Sequence, residues 1–216
     1  MQRIKAFISY SASDSNKKAG ILKELLQKYL GFESFIAHSD IPVGHDFNEI
    51  IIHQIKASHA FFPLISETSE NSIFVNQEIG IAIGGGKPII PIKIDKNPYG
   101  FISHIQALKF PSADSKLVNL TVNYVNLASK IVYPLFKDTH LSLLRKTIFE
   151  SLLYALSQSP SLYTTNVVAH FIANCLDIQD FNGLYNQTIC DIVKTNQWVG
   201  KETYFLPQLC ERLNCT

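Results

Sequence analysis

The pattern of hydrophobic positions divides the first part of the chain into short apolar runs that alternate with amphipathic stretches. The apolar runs are strand candidates: Ile4–Tyr10, Phe32–Ala37, Ala60–Ile65 and Pro88–Ile94, with Leu108–Phe110 as a candidate short edge strand. The other stretches have helical spacing: Lys17–Leu30, Phe47–Ser58, Ser72–Lys87 and Ser115–Tyr133. Because each strand is apolar along nearly its whole length, the pattern predicts an α/β fold, with an open parallel sheet flanked by helices.

The pattern changes after Phe136, where strand-like runs no longer occur. Helical apolar spacing is found instead in four segments: Leu141–Leu156, Val167–Leu176, Leu184–Val193 and Leu206–Leu213. We therefore predict two domains, an α/β domain over residues 1–136 and a small all-helical domain over residues 137–216. The second domain has no cluster of side chains with catalytic or ligand spacing, and the sequence does not indicate its role.

One acidic residue lies in an unusual position on the helix predicted over Ser72–Lys87. At about 100° per residue, the polar side of this helix is formed by Asn76, Gln77 and Gly80. Glu78 falls instead within the apolar arc, one turn after Phe74. A carboxylate directed at apolar surface is costly unless a specific interaction holds it, so Glu78 is a candidate site residue. The alternative is a glutamate at the rim of the helix that reaches water or a lysine.

Polar loops follow three of the predicted strands, at Ser11–Ser15, His38–Asp46 and Ser66–Ser72. In an open parallel sheet, ligands bind beyond the carboxyl ends of the strands. The helix that carries Glu78 begins at the same edge of the sheet. The sequence therefore predicts that three polar loops and one carboxylate converge on a single cleft.

Composition and charge exclude several classes of function. The chain has 216 residues, of which 46% are hydrophobic, and its formal net charge is +1. We find no basic stripe that predicts a nucleic-acid partner, and no apolar run approaches the ~18 residues of a membrane span. The N-terminus lacks a signal peptide, so we expect a cytoplasmic protein with reduced cysteines. The cysteine and histidine spacings fit no metal template, and we expect no metal site.

Gly84-Gly85-Gly86-Lys87 looks like the end of a phosphate-binding loop, but its context does not fit one. The full glycine–lysine–serine/threonine spacing is missing, and the run leads from a predicted helix into a predicted strand. Glycine readily adopts the left-handed conformation that ends helices. We predict a helix C-terminus here.

Four short motifs follow one another in chain order between residues 4 and 135: Phe7–Ser11 with Asp14, Ile41–Gly44 with Phe47, Ser72-x-Phe74-x-x-x-Glu78, and Gly86–Pro91. Together they resemble the motifs of the bacterial type of TIR (Toll/interleukin-1 receptor) domain, which has a flavodoxin-like sheet. Phe47 and Phe74 stand where tryptophan is common in that family, and phenylalanine keeps a flat face for stacking. The helical domain resembles no family that we can name.

The resemblance implies an enzyme that cleaves NAD⁺ between nicotinamide and ribose, acting as effector or signal producer in bacterial anti-phage and cell-death immunity. NAD would be the substrate, and no cofactor is implied. Glu78 matches the family's catalytic carboxylate. The resemblance places the substrate-binding residues at Tyr10, Ser11, Ser13, Ile41, Phe47 and Phe74. Water as acceptor gives ADP-ribose, whereas the dinucleotide's own adenine or ribose gives a cyclic product, and the sequence does not choose between them.

Two functional classes stay open. The alternative to the enzyme is a non-catalytic TIR interaction module, but a purely structural adaptor has no reason to place a glutamate inside an apolar arc. The resemblance also implies regulation by homo-oligomerisation through TIR–TIR contacts, with the loop around Ile41–Asp46 completing a neighbour's site. The domain over residues 137–216 is then the candidate binding region for a protein or small-molecule activator; the alternative is a purely structural support for the sheet domain.

Overall fold

A computed structural model describes residues 1–36, 47–111, 117–138, 142–159, 161–176 and 186–195. The strands are β1 (Lys5–Ser9), β2 (Glu33–Ile36), β3 (Ala60–Ile65), β4 (Ile92–Lys93) and β5 (Leu108–Lys109). The helices of the first part are α1 (Asn16–Leu30), α2 (Phe47–Ala57), α3 (Glu67–Glu70), α4 (Ile73–Gly84) and α5 (Leu117–Asp138). They are followed by α6 (Ser142–Ser157), α7 (Leu162–Leu176) and α8 (Asn186–Thr195). The predicted helix over Leu206–Leu213 lies outside the described residues.

The described strands form one five-stranded parallel sheet in the order β2-β1-β3-β4-β5. This confirms the predicted α/β fold with an open, flavodoxin-like sheet flanked by helices. The order in which strands are added to the sheet reverses at β1, because β2 lies on one side of β1 and β3 lies on the other. Right-handed crossovers then place α2 and α4 on one face of the sheet and α1 on the opposite face. The carboxyl ends of β1 and β3 therefore form the switch point at which such sheets bind ligands.

The fourth strand is shorter than predicted, because prolines interrupt its hydrogen bonding. The sequence indicates a strand over Pro88–Ile94, but regular pairing is confined to Ile92–Lys93, with an isolated bridge between Phe61 and Ile89. Proline has no backbone N–H to donate. Pro88 therefore takes part only as an acceptor, through its carbonyl and the N–H of Phe61 at 2.9 Å.

Two further differences concern helices. The loop predicted over Ser66–Ser72 contains the short helix α3, which is held by a capping box between Ser66 and Ser69. The predicted helix stop near Pro134 is wrong, because α5 continues to Asp138. Residues on both sides of the proline, including Ile131 and Phe136, are fully buried, and this burial offsets the loss of one helical hydrogen bond.

The core beneath α2 and α4 depends on side chains that alternate along β1 and β3. Phe7 of β1 stacks on Phe61 of β3, with ring centroids 5.6 Å apart and planes at 10°. The same cluster contains Val75 and Ile79 of α4. Successive side chains of a strand point to opposite faces. Ser9, two residues after Phe7, therefore lies on the same face of the sheet, towards α4.

The chain divides into two compact units. One contains Ile4–Leu26 and Phe32–Ile131, and the other contains Met1–Arg3, Gln27–Gly31 and Val132–Thr216. The sheet unit thus ends within α5, a few residues before the domain boundary that the sequence indicates at 136. Whether residues 1–136 form an independent domain stays a prediction.

The second unit is helical in its described part, where α6 packs against α7 and α8. Its core includes the fully buried rings of Phe149 and Phe171. Cys175 is a buried free thiol, but Cys190 is disulfide-bonded, so the expectation of reduced cysteines is wrong for Cys190. None of the helices that the structure describes is both long and apolar enough to span a membrane.

Candidate functional site

Glu78 is positioned by the way α4 begins. Ser72 is the N-cap of this helix, and its hydroxyl accepts a hydrogen bond from the backbone N–H of Val75 at 3.3 Å. The cap fixes where the helix starts and therefore which residues face the sheet. Val75, Ile79 and Ala82 are buried on that side, and Glu78 is buried with them at 4% exposure. The position of Glu78 within the apolar arc is therefore confirmed.

The hydrogen-bond partner of Glu78 comes from β1. The hydroxyl of Ser9, which is completely buried at the end of that strand, donates to Oε2 of Glu78. The partner is thus a serine of the sheet, and Glu78 is buried rather than at the rim of the helix. Our sequence analysis did not select Ser9 as a site residue. The two-residue periodicity of β1 was the available signal, because it places Ser9 on the same face as the core residue Phe7.

Burial dominates the ionisation of Glu78. Removal from water raises the pKa of its carboxyl from 4.5 to about 7, and the hydrogen bond from Ser9 opposes this rise by favouring the carboxylate. A carboxyl of this kind changes its charge near neutral pH. Such pKa values are typical of functional sites, although burial in a core also produces them.

Glu78 borders a cavity of about 540 Å³ between α2 and α4. Its lining is mainly aliphatic and aromatic, with a few polar groups: Asn48, Ile51, Ile52, Phe74, Gln77, Glu78, Gly80 and Ile81. The volume and the mixed lining are of the kind that binds small molecules. Gly80 contributes no side chain, and a Cβ added there would meet nothing within 4 Å, so the cavity stays open on the side of α4.

Of the two predicted aromatic residues, Phe74 lines this cavity, whereas Phe47 contacts Phe74 without being among the lining residues. The ring of Phe74 is 48% exposed and lines the cavity. The ring of Phe47, at the start of α2, contacts Phe74 edge to face, with centroids 6.1 Å apart and planes at 79°. Phe74 is therefore not a core residue and presents an accessible aromatic surface beside Glu78.

Three other predicted binding residues, Tyr10, Ser11 and Ser13, lie in the loop after β1, and none of these three lines the cavity. The hydroxyls of Ser11 and Ser13 are 2.7 Å apart and hydrogen-bond to each other. Tyr10 is buried, and its hydroxyl donates to Oδ1 of Asn16 at 3.3 Å. Ile41 lies outside the described residues. Their roles as substrate-binding residues stay predictions.

A network of polar contacts joins two of the three predicted loops. Oδ1 of Asp14, in the loop after β1, accepts from the hydroxyl of Ser15 at 2.6 Å and from that of Ser66, after β3, at 3.0 Å. Burial by itself raises the pKa of Asp14, but hydrogen bonds from Ser15, Thr68 and Ser66 outweigh it and lower the pKa. The first and third loops thus meet at the carboxyl edge of the sheet, whereas the second, His38–Asp46, falls outside the described residues.

The glycine run after α4 is a helix end, as predicted. Helix α4 ends at Gly84, and Gly86 has the positive φ of +63° that glycine adopts without strain. The ammonium of Lys87 donates to the backbone carbonyls of Lys56 and Ser58, at 2.6 and 2.8 Å. It therefore neutralises the negative end of α2. Among the described residues, no group of three or more acidic, histidine or cysteine side chains is arranged to hold a metal ion.

The burial of Glu78 predicts a specific dependence of stability on pH. Below pH 4.5 the carboxyl is protonated in both the unfolded and the folded chain. Between pH 4.5 and about 7 the unfolded chain ionises while the folded chain keeps its proton, so the free energy of unfolding falls. The loss amounts to about 3 kcal/mol.

This loss is measured by comparing wild type with Glu78→Gln, which is neutral in both states. Urea unfolding at a series of pH values gives the difference in free energy between the two proteins, in which the other titrating groups cancel. We expect the wild type to lose about 3 kcal/mol relative to the variant from pH 4.5 to pH 8. A difference that does not change with pH would show that Glu78 is not buried as an ionisable carboxyl.

Comparisons with known proteins agree with this fold. The family model of the TIR domain matches residues 6–120. Matching solved structures include the TIR domain of the Toll-related receptor TRR-2 from Hydra magnipapillata (24% identity, 58% of this chain and 96% of that chain, TM-score 0.46). They also include the TIR domains of the activated Roq1 resistosome, which directly recognises the pathogen effector XopQ (15% identity, 79% of this chain and 98% of that chain, TM-score 0.41).

Both TM-scores are below 0.5, so the assignment to a family does not depend on them. No curated protein gives a significant match to the sequence. The family model covers more than half of the chain, from β1 into α5. It matches the segment in which the four motifs, the parallel sheet and Glu78 lie. The chain belongs to the TIR domain family.

Proposed function

We propose that the chain is an NAD⁺-cleaving TIR enzyme that breaks the bond between nicotinamide and ribose. The observation that carries this proposal is the buried carboxyl of Glu78 at the wall of a 540 Å³ cavity, next to the accessible ring of Phe74. The same residues resemble the family's Ser-x-Trp-x-x-x-Glu motif, with Phe74 in place of the tryptophan. We infer that the enzyme serves bacterial immunity, either as an effector or as the producer of a signal.

The chemistry suits a site with one carboxylate. The nicotinamide of NAD⁺ carries a positive charge and leaves as a neutral molecule, so no general acid has to protonate it. Glycosidases need two carboxyl groups because their leaving group has to be protonated. In NAD⁺ cleavage the positive charge moves to the ribose, as an oxocarbenium-like transition state. A buried carboxylate at the wall of the cavity stabilises that charge.

The ionisation of Glu78 fits this role. The carboxyl changes its charge near pH 7 in the free protein. A cationic nicotinamide ring close to it favours the carboxylate, because an opposite charge within ~4–6 Å lowers the pKa of an acid. Binding of NAD⁺ therefore brings Glu78 into the charged state that the reaction needs. Water or the dinucleotide's own adenine or ribose then attacks the ribose, and product analysis distinguishes ADP-ribose from a cyclic product.

Regulation by self-association belongs to the same proposal. A constitutive NAD-cleaving enzyme would exhaust the NAD of its own cell, so the activity needs control. The loop around Ile41–Asp46 is the candidate for contact with a neighbouring copy, and residues 137–216 are the candidate region for an activator. The first assignment comes from the family resemblance, and the second is inferred because residues 137–216 have no cluster with catalytic or ligand spacing.

A non-catalytic module that assembles a signalling complex is the second candidate. Two adjacent apolar side chains at the start of α4 favour it, because Ile73 is 71% exposed and Phe74 48%. Apolar side chains that cluster on a protein surface commonly mark a protein–protein contact. Such a module needs no buried carboxyl, so the effect of Glu78 on NAD⁺ separates the two candidates.

The first prediction is that Glu78→Gln abolishes cleavage. At an effective dielectric constant of about 20, a unit charge 4 Å from the developing cation contributes about 4 kcal/mol, which is roughly 10³-fold in rate. Nicotinamide release from purified protein is measured by chromatography over a range of protein concentrations. Glu49→Gln, which removes an exposed carboxylate from α2, is the control and keeps wild-type activity. Turnover by Glu78→Gln close to that of wild type would refute the catalytic assignment, and an inactive wild type at every concentration favours the second candidate.

The second prediction concerns the aromatic wall of the cavity. Phe74→Ala removes the stacking surface and should raise KM for NAD⁺ about tenfold, whereas Phe74→Trp restores the commoner family residue and should keep the activity. Phe101→Ala is the matched control, because Phe101 is 83% exposed and does not line the cavity. Equal kinetics for Phe74→Ala and Phe101→Ala would place the substrate elsewhere.

A further inference from the structure

We propose that Ser9 is a positioning residue for the reaction: its hydroxyl holds the carboxyl of Glu78 in one orientation and keeps it ready to ionise. The inference rests on the proposed function of Glu78. It adds a residue of the sheet, outside the wall of the cavity, to the machinery of the site.

The geometry follows from the backbone of β1 and β3. Ser9 is the last residue of β1 and is aligned with Pro63 in the centre of β3. Its side chain lies on the face covered by α4, and its Oγ donates to Oε2 of Glu78. Ser9 is completely buried and Glu78 is 4% exposed. Two rigid elements therefore fix the donor and the acceptor of this bond.

The hydrogen bond also decides which oxygen of the carboxyl is available. Oε2 is engaged by Ser9, while Glu78 lines the cavity. The carboxyl is planar, so a bond that holds one oxygen sets the direction of the other. Oε1 is therefore the oxygen that meets the ribose of a bound dinucleotide. Without the bond, the carboxyl rotates about its last torsion angle, which has broad energy minima.

Among the residues that the structure describes, Ser9 is the only polar group that acts against the effect of burial on the pKa of Glu78. Burial raises the pKa of this carboxyl, and the donor from Ser9 lowers it. The titratable residues on the helices packed against α4 are Glu49, His53 and Lys56 of α2, and Glu67 and Glu70 of α3. Asp14 lies in the loop after β1, and β3 carries no titratable residue. None of these charged groups is a cause of the shift in the pKa of Glu78.

The experiment compares Ser9→Ala with Ser34→Ala. Ser34 is a second buried serine on a neighbouring strand, and its Oγ has no hydrogen-bond partner among the described residues. It therefore controls for the loss of a buried hydroxyl. The pH profile of kcat/KM for nicotinamide release reports the ionisation of the free enzyme. We expect Ser9→Ala to move the midpoint of this profile upward by about one to two pH units, since a hydrogen bond to a charged group contributes about 1.5–3 kcal/mol.

The same comparison separates positioning from packing. Ser9→Ala should recover much of its activity at high pH, Ser9→Thr should return the midpoint towards that of wild type, and Ser34→Ala should leave the profile unchanged. A midpoint that does not move in Ser9→Ala overturns the proposal. A loss of rate that is equal at every pH also overturns it, because that result describes a structural role only.

A second readout needs no activity. Urea unfolding of Ser9→Ala and of Ser9→Ala/Glu78→Gln gives the contribution of Glu78 to stability at each pH. Because Ser9→Ala raises the pKa of Glu78 in the folded chain, the fall in stability should extend to higher pH than in wild type. A fall that ends at the same pH overturns the proposal. If wild type releases no nicotinamide, the function proposed for Glu78 fails, while the unfolding data still decide whether Ser9 controls its ionisation.

Discussion

The burial of one carboxyl against the sheet is the constraint on which the candidate site depends. Glu78 lies among Val75, Ile79 and Ala82, which attach α4 to the sheet. A carboxylate in such surroundings is destabilising unless it is protonated or hydrogen-bonded. The hydrogen bond from Ser9 offsets part of the desolvation penalty of the carboxylate. The rest of the penalty appears as the raised pKa of about 7. Natural sequences carry such local penalties mainly where function needs them.

The topology of the sheet gives this carboxyl its surroundings. The crossovers before and after β3 bring α2 and α4 together on one face, and the cavity lies between them. The loops after β1 and β3 meet through Asp14 and Ser66 at the carboxyl edge of the sheet, beside the switch point between these two strands. A hydrophobic cavity, an aromatic surface and a titrating carboxyl are therefore assembled from three separate segments by one parallel sheet. The proposed NAD⁺ cleavage uses this arrangement without a second acidic group.

Much of the fold was predictable because it depends on local patterns. The alternation of apolar strands with amphipathic helices predicts the sheet, and the 100° periodicity of α4 predicts that Glu78 is directed inward. The predicted bounds of β4 and α5 were wrong because single prolines, or the burial around them, act against the hydrophobic pattern. Prolines at 88 and 91 restrict β4 to Ile92–Lys93, whereas the burial of residues around Pro134 keeps α5 intact.

The site was less predictable than the fold, because its contacts join residues distant in sequence. The bond between Ser9 and Glu78 spans 69 positions. The periodicity of β1 places Ser9 on the face that α4 covers, but the pairing of the two residues depends on how α4 packs on the sheet. The ring contact of Phe47 with Phe74 likewise depends on how α2 packs on α4. The predicted serines of the loop after β1 have the right residue types for binding, but they hydrogen-bond to each other and do not line the cavity.

The central claim is that NAD⁺ binds next to a buried, titrating Glu78. The most direct measurement is a ¹³C NMR titration of the Glu78 carboxyl, assigned with Glu78→Gln, in the absence and presence of carba-NAD. This analogue has a carbon atom in place of the ring oxygen of the ribose and resists cleavage. We predict a pKa near 7 without the ligand and a lower pKa with it, because the cationic nicotinamide favours the carboxylate. A pKa close to 4.5 that the ligand does not change would contradict the account.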